Sequence, residues 1–210
     1  MMIKAILFDI DGVLADSLKA NHDFYWRILK NFGYEFVSLD EYREKYFSLA
    51  MRDVIRNFTQ ASSKKVEEIF KFGQDKYNYD LMDITPYVGE IIMELKSIYA
   101  LGIVTGRLKI GAEGFIKKAK LENVFNVIVS YEDYQKPKPD PEPLSIALQR
   151  LDKKPENAVY IGDSLIDFQA ASSLGMKFIT FYGVSGKIFK EADANINNFS
   201  QLPAEIKKLS

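Results

Sequence analysis

Five short apolar runs, rich in β-branched and aromatic residues, constrain the fold of this chain more than any other feature. They are AILFD (5–9), LGIVT (101–105), VFNVIVS (124–130), AVYIGD (158–163) and FITFYG (178–183). Runs of this length and composition are typical of strands that are buried on both faces, and the last four follow one another at helix-length intervals. Alternating strands and helices predict an α/β fold, a Rossmann-like parallel sheet with helices on both faces.

The segments between these runs supply the helices of the predicted sheet. Helical patterns occupy residues 89–97, 111–120, 143–151 and 165–174. A weaker strand is predicted at 195–196 and a last helix from residue 203. Because parallel strands are joined by right-handed crossovers, these helices should divide between the two faces of the sheet.

The interval between the first two strands is too long for one crossover helix. From residue 16 to about residue 83 the pattern is helical, with no strand-like run. One helix is predicted at 17–32 with Gly33 as its stop, and residues 38–41 have the spacing of a capping box. Helical periodicity continues at 51–58 and 66–79. We therefore predict a core domain of residues 1–15 and 84–210, and an inserted all-α helical cap of residues 16–83.

The composition excludes several classes of function. The chain has 28 Lys and Arg against 29 Asp and Glu, so no overall field would draw it to nucleic acid or to an anionic membrane. It has no cysteine and one histidine, His22, which excludes thiol nucleophiles and multi-histidine metal sites. The first apolar run is cut by Asp9 and Asp11, and no run reaches the roughly 20 residues of a membrane helix. We expect a soluble, cytoplasmic protein with no nucleic-acid or membrane partner.

Polar side chains follow four of the predicted strands. Strand one ends in Asp9-Ile10-Asp11-Gly12, and strand two ends in Thr105-Gly106-Arg107. Strand three is followed by KPKPDP (136–141), and strand four ends in GDSLID (162–167). Because ligands bind beyond the carboxyl ends of parallel strands, we expect these residues to meet at one edge of the sheet.

Such a set of side chains suits phosphoryl transfer through a covalent aspartate. A carboxylate attacks phosphorus only if the repulsion between two anions is cancelled, which Mg²⁺ held by the other carboxylates can do together with a lysine. A hydroxyl and a glycine amide can hold the remaining phosphoryl oxygens. A second acid must protonate the leaving oxygen and then activate water. The two aspartates after strand one fit these two tasks.

The motifs resemble those of the haloacid dehalogenase superfamily, in its phosphatase branch with an α-helical (C1-type) cap. The family motif D-x-D-G-(T/V)-L is matched by residues 9–14, and its strand-two Thr or Ser by Thr105. The motif K-P-x-P is matched by residues 138–141, and G-D-x-x-x-D by residues 162–167. The four motifs occur in the family's order along nearly the whole chain. Phosphoglycolate phosphatase-like and β-phosphoglucomutase-like proteins are the subgroups that the chain resembles most.

This resemblance implies a role for each acidic motif residue. Asp9 would be the nucleophile, and Asp11 would be the general acid and base. Asp9, the backbone carbonyl of Asp11 and Asp163 would hold Mg²⁺. Asp167 would orient that metal shell.

The resemblance also implies how the phosphoryl group is bound. Thr105 and Gly106 would hold it, and Lys138 would neutralise it. The lysine motif can also be read from Lys136, so two lysines remain candidates. Many relatives follow the motif-two hydroxyl with Asn or Lys, whereas this chain has Gly106-Arg107, which the family also uses.

The implied activity is magnesium-dependent hydrolysis of a small phosphorylated metabolite through an aspartyl phosphate. The alternatives are a phosphosugar mutase of the β-phosphoglucomutase type and a catalytically silent phosphate-binding scaffold. The cap histidine of such mutases falls at Asn21 in this chain, one place from His22, which counts against the mutase. Arg52 lies near a cap turn that relatives aim into the active site, and is the candidate cation for a substrate. We expect a monomer, with a dimer as the alternative.

Overall fold

A parallel sheet of six strands forms the centre of the protein in a computed structural model that describes residues 2–210. In the order β5-β4-β1-β6-β7-β8, its strands are β1 (Ala5–Phe8), β4 (Ala100–Val104), β5 (Val127–Val129), β6 (Ala158–Gly162), β7 (Lys177–Phe181) and β8 (Ala194–Ile196). Every neighbouring pair is parallel. The predicted α/β fold is confirmed, and the five strands predicted most strongly are all present.

Helices cover both faces of this sheet. They are α5 (Val88–Lys96), α6 (Lys109–Ala119), α7 (Glu142–Leu151), α8 (Leu165–Ser173) and α9 (Leu202–Leu209). Alternate residues of β1 enter different cores: Ile6 and Phe8 pack with α5, α6 and α9, while Ala5 and Leu7 pack with α7 and α8. Because side chains alternate along a strand, a strand buried on both faces must be apolar at every position. The fully buried β1 fulfils this condition.

The inserted segment forms a separate group of helices with its own apolar core. These helices are α1 (Leu18–Lys30), α2 (Leu39–Lys45), α3 (Met51–Thr59) and α4 (Ser63–Gly73). Ser38 accepts a hydrogen bond from the Glu41 amide at the start of α2, which is one of the two bonds of the predicted capping box, while the Glu41 carboxylate accepts from Lys45 instead. Ser62 caps α4 through a bond from the Lys65 amide. The predicted helix at 66–79 instead begins at Ser63 and ends at Gly73, and a 3₁₀ turn follows at Tyr79–Leu81.

A two-stranded antiparallel ladder joins the insertion to the rest of the chain. It pairs β2 (Ala15–Asp16) with β3 (Asp83–Ile84), and was not predicted from the sequence. The chain enters the insertion through β2 and leaves it through β3. Thr85, which follows β3, ties the two segments together, because its hydroxyl donates to the Val13 carbonyl at 2.8 Å. The ladder lies at the predicted boundaries near residues 15 and 84, although the division into two domains stays a prediction. No helix among residues 2–210 is long and apolar enough to cross a membrane.

Candidate active site

The carboxyl ends of neighbouring strands bring three aspartates together. Asp9 follows β1, Asp163 follows the adjacent β6, and Asp167 lies in the first turn of α8. One carboxylate oxygen from each lies within 4.8 Å of the other two. Asp167 is fully buried, and its carboxylate closes a capping box with Ser164 at the start of α8. The sheet edge therefore gathers the charges that the motifs predicted there.

Lys138 is the cation inside this cluster. Its Nζ donates to Asp9 Oδ2 at 2.9 Å, to Asp167 Oδ1 at 2.6 Å and to the Tyr160 hydroxyl at 2.9 Å. Burial would lower the pKa of Lys138, but Asp167 and Asp9 outweigh it and hold that pKa well above its usual range. Lys136 is exposed. Of the two candidate lysines, the structure thus brings Lys138 to the aspartates.

One lysine does not balance three carboxylates. Burial raises the pKa of Asp9 to about 7 against the opposing effect of Lys138, and the charges of Asp167 and Asp11 add to the rise. Burial, followed by the charges of Asp167 and Asp9, also holds the pKa of Asp163 well above its usual range. Within residues 2–210, no hydrogen bond ends on the Asp163 carboxylate. Excess negative charge and an unpartnered carboxylate fit a hard divalent cation such as Mg²⁺.

Gly12 allows Asp163 to approach the turn that follows β1. Its φ is +78°, and a Cβ at this position would lie 2.2 Å from Asp163 Oδ2. Any other residue would therefore be strained in its backbone and would push the carboxylate away. The first motif includes Gly12, but that its lack of a side chain makes room for Asp163 is visible only in the structure.

The Asp11 carboxylate is held by several hydrogen-bond donors. Arg107 donates from Nε to Oδ2 at 2.9 Å and from Nη2 to Oδ1 at 2.7 Å. The hydroxyl of Ser17 and the amide of Asn21 donate to the same Oδ1. Burial alone would raise the pKa of Asp11, but the charge of Arg107 and these hydrogen bonds together lower it. Asp11 is therefore an ionised carboxylate in this arrangement.

Arg107 also connects the core to the inserted helices. Its Nη2 lies 3.0 Å from Asn21 Oδ1 and donates to the Tyr77 hydroxyl at 2.8 Å, and its side chain is 9% exposed. In the sequence, Arg107 is only a variant of the second motif, and no role is predicted for it. The signal that could have identified it is a cation two residues after a strand end, where buried carboxylates were already expected.

Thr105 and Gly106 directly follow β4, the strand that neighbours β1 in the sheet. The Thr105 side chain is fully buried, and its Oγ1 accepts a hydrogen bond from the Arg107 amide at 3.2 Å. Gly106 faces the inserted segment, since a Cβ on it would lie 3.9 Å from the Ala50 Cα. Both residues are thus at the predicted edge.

A cavity of about 140 Å³ lies between the sheet edge and the inserted helices. Asp9, Lys138 and Asp163 lie at one side, and the α2–α3 turn with Ala50 lies at the other. Aromatic side chains supply much of the remaining wall, namely Phe24, Tyr25, Tyr42, Phe47, Tyr77, Tyr79 and Tyr134. The cavity can hold a small ligand that presents an anionic group to the aspartates and Lys138.

Arg52 and His22, both weighed from the sequence, are not brought to the cavity. Arg52 pairs with Glu67 on α4 through hydrogen bonds of 3.0 and 3.2 Å, and its guanidinium lies 3.5 Å from the centre of the Phe70 ring. His22 contacts the Val37 carbonyl at 2.8 Å and packs beside Tyr42. Neither is among the residues that line the cavity.

Known proteins with the same organisation are numerous. Residues 6–181 match the sequence profile of the haloacid dehalogenase-like hydrolases. The pyrophosphatase PpaX of Bacillus cereus (strain Q1) is 32% identical over 199 residues, which cover 91% of this chain and 89% of the relative.

Solved structures extend the likeness over the full length. A candidate phosphoglycolate phosphatase from Lactobacillus plantarum superposes with a TM-score of 0.85 at 25% identity and covers both chains completely. A subfamily IA hydrolase from Geobacter sulfurreducens gives 0.72 at 27% identity, covering 97% of this chain and 96% of its own. CbbY from Rhodobacter sphaeroides, solved in complex with phosphate, shares the fold with a TM-score of 0.87 at 24% identity over 98% and 100% of the two chains. The profile match and the curated relative together show that this chain belongs to the haloacid dehalogenase-like hydrolase family.

Proposed function

We propose that this hydrolase is a magnesium-dependent phosphatase that cleaves a small phosphorylated metabolite through an aspartyl phosphate. The observation that carries the proposal is the Asp9 carboxylate, which Lys138 holds at 2.9 Å on one side of the cavity, beside an unpartnered Asp163. A nucleophile needs this combination of a fixed position, a neighbouring cation and space for the phosphoryl group.

Asp9 is the group placed to attack phosphorus. Its Oδ1 accepts a hydrogen bond from the Ile10 amide at 2.7 Å and its Oδ2 accepts one from Lys138, so the carboxylate is oriented from both sides. Attack forms a bond between an Asp9 oxygen and phosphorus while the ester P–O bond breaks. Gly106 and Lys138 would hold the phosphoryl oxygens, and Thr105 supports the turn through its bond to the Arg107 amide.

Asp11 would donate a proton to the leaving oxygen and later accept one from the attacking water. Water then adds to phosphorus, the bond to Asp9 breaks, and inorganic phosphate leaves with the Asp9 carboxylate restored. In the structure, the Asp11 carboxylate accepts hydrogen bonds from Arg107, Asn21 and Ser17. Asp11 acts as an acid only after these contacts are exchanged for the leaving group: without the charge of Arg107, burial raises the pKa of Asp11, and its carboxylate takes up from solvent the proton that it then donates. Because Asn21 lies on α1, movement of the insertion can drive that exchange.

Asp9, the Asp11 carbonyl and Asp163 would hold Mg²⁺, and Asp167 would orient these ligands through Lys138 and Ser164. Bound there, the ion supplies the positive charge that allows one anion to approach another. The raised pKa of Asp9 and of Asp163 supports this assignment, because burial and, after it, repulsion from neighbouring carboxylates disfavour their charged forms, and a bound cation would offset both effects.

Inorganic pyrophosphate is one substrate to test, since the curated relatives are named pyrophosphatases. The mutase alternative gains no support, because Asn21 binds Asp11 and Arg107, while the neighbouring His22 lies against Val37. A silent scaffold would not need both the nucleophile position and its lysine.

A panel of phosphate esters, assayed for inorganic phosphate with and without Mg²⁺, tests the proposal. We expect phosphate release that depends on Mg²⁺ and is lost in Asp9→Asn. Isomerised sugar phosphate without net phosphate release would establish the mutase instead. Binding of phosphate without turnover of any ester would establish the scaffold.

A further inference from the structure

Two tyrosines of the inserted helices line the cavity, and among the described residues their hydroxyls have no hydrogen-bond partner. Tyr25 on α1 and Tyr42 on α2 are 6% and 1% exposed, their ring centres are 5.7 Å apart, and both line the cavity. Among residues 2–210, neither hydroxyl takes part in a hydrogen bond, and neither is sealed from the solvent-accessible space. Since buried tyrosine hydroxyls usually find a partner, this pair is available to a ligand.

The same cavity offers no surplus positive charge. Of the described residues that line it, the cations are Arg107 and Lys138. Arg107 is paired with Asp11, and Lys138 is paired with Asp9 and Asp167. Asp53 adds a further carboxylate to the wall on the side of the insertion, although it also pairs with Arg56. A single Mg²⁺ would offset the aspartate excess but would leave nothing to compensate a second anionic group of a substrate.

We infer that the leaving group is uncharged and carries hydroxyls, which Tyr25 and Tyr42 recognise by hydrogen bonds. This inference rests on the proposed phosphatase function and specifies its substrate class, the phosphate monoesters of neutral polyhydroxy compounds. The phosphoryl dianion is bound at the aspartate side, so the tyrosine side contacts only the rest of the ester. Neutral hydroxyl groups of the substrate can hydrogen-bond to the two phenols, whereas a second phosphate or a carboxylate would be repelled by Asp11 and Asp53.

The leaving groups of inorganic pyrophosphate and 2-phosphoglycolate are anionic, and these substrates are therefore disfavoured. Either would place a negative group near carboxylates that are themselves largely buried. Arg107 offers no surplus charge to the arriving ester, because Asp11 balances it at 2.7 Å until the contacts of Asp11 are exchanged. Selectivity against charged esters is thus built from repulsion as well as from missing partners.

Four substrates and three variants test this inference. Glycerol 2-phosphate has a neutral leaving group with hydroxyls, phenyl phosphate has a neutral leaving group without further hydroxyls, and pyrophosphate and 2-phosphoglycolate carry the second charge. Tyr25→Phe and Tyr42→Phe each remove one oxygen. Tyr46→Phe is the matched control, because Tyr46 belongs to the same aromatic group but does not line the cavity.

With saturating Mg²⁺, we expect kcat/KM for glycerol 2-phosphate to exceed that for both charged substrates by at least about 10-fold. Each cavity variant should lower kcat/KM for glycerol 2-phosphate by about 2- to 13-fold, the range of one hydrogen bond, and leave phenyl phosphate unchanged. Tyr46→Phe should change neither. Melting temperatures of all three variants should match the parent, because no protein contact of either cavity hydroxyl is lost.

Preference for pyrophosphate or phosphoglycolate would overturn the inference and leave the phosphatase function standing. Equal losses on glycerol 2-phosphate and phenyl phosphate would mean that the tyrosines act only through the shape of the cavity, which also overturns it. If kcat/KM falls on neither substrate, the two hydroxyls bind water and not the substrate, which overturns the inference. Silence on all four substrates would refute the proposed function, and the inference with it.

Discussion

Replacing Arg107 by methionine tests the ion pair on which the arrangement of Asp11 depends. Methionine keeps an unbranched stem but removes the charge and both hydrogen bonds to Asp11. Breaking a fully buried pair by removing one partner costs ~3–5 kcal/mol, because the remaining charge is uncompensated. The Asp11 side chain is 19% exposed and keeps its bonds from Ser17 and Asn21. We therefore expect the free energy of unfolding to fall by about 2–4 kcal/mol at pH 7.

Urea unfolding and thermal melting measure this loss. For a chain of this size, each kcal/mol shifts the melting temperature by about 2–4 °C, so Arg107→Met should melt roughly 4–16 °C below the parent. The control is the double variant Arg107→Met with Asp11→Asn, in which neither partner is charged. It should recover at least about half of the loss, since the unpaired carboxylate is the main cost.

The pH dependence of the loss has a defined sign. In the parent, the pKa of Asp11 is lowered below that of an unfolded aspartate, ~3.9, so its stabilisation is present above that value and is lost as the pH falls through the folded pKa. Without Arg107, burial would raise the pKa of Asp11, and the ionised carboxylate would destabilise the fold at neutral pH. The stability gap between the two proteins should therefore narrow from pH 7 towards pH 3. This reasoning would be refuted if the free energies of unfolding of the parent and Arg107→Met differed by less than about 0.5 kcal/mol, or if their difference did not change with pH.

Three further outcomes are expected. Exhaustive chelation should abolish phosphate release, and Mg²⁺ should restore it. Ca²⁺ should inhibit phosphate release, because its larger coordination shell suits in-line attack poorly. Full activity without metal would contradict the proposed Mg²⁺ site. Asp9→Asn should abolish turnover with the fold intact, whereas Asp11→Asn should slow steady-state hydrolysis by ~10²–10⁴-fold while Asp9 is still phosphorylated by an activated ester. Arg52→Ala should lower the melting temperature, because its pair with Glu67 is lost, and leave KM for all esters within about 2-fold; a rise in KM confined to acidic esters would instead return Arg52 to the substrate site.

The sheet and the aspartate cluster were predictable because they follow from local patterns and one rule of topology. Buried parallel strands are apolar at every position, so β1, β4 and β6 were evident from the sequence. Once these strands are parallel, their carboxyl ends must meet at one edge, which brings Asp9 and Asp163 together.

The parts that were not predictable depend on long-range partners. The ladder of β2 and β3 has two residues in each strand, too few for any periodic pattern. Arg52 and Arg107 look alike in the sequence, yet one pairs with Glu67 on the neighbouring helix and the other with Asp11, 96 residues away. A long flexible side chain reaches many neighbours, and its partner is decided by packing that the sequence does not display.

Asp11 is the residue at which the sheet and the insertion act on each other. Two of its hydrogen-bond donors, Ser17 and Asn21, follow β2. The third, Arg107, follows β4 and also binds Tyr77, which lies after α4. Movement of the insertion away from the sheet must therefore break bonds to Asp11, to Arg107, or to both. Breaking these bonds would free the Asp11 carboxylate, and the same movement of the insertion would open the cavity. The orientation of the proposed acid and the access of substrate are consequently linked by one set of hydrogen bonds.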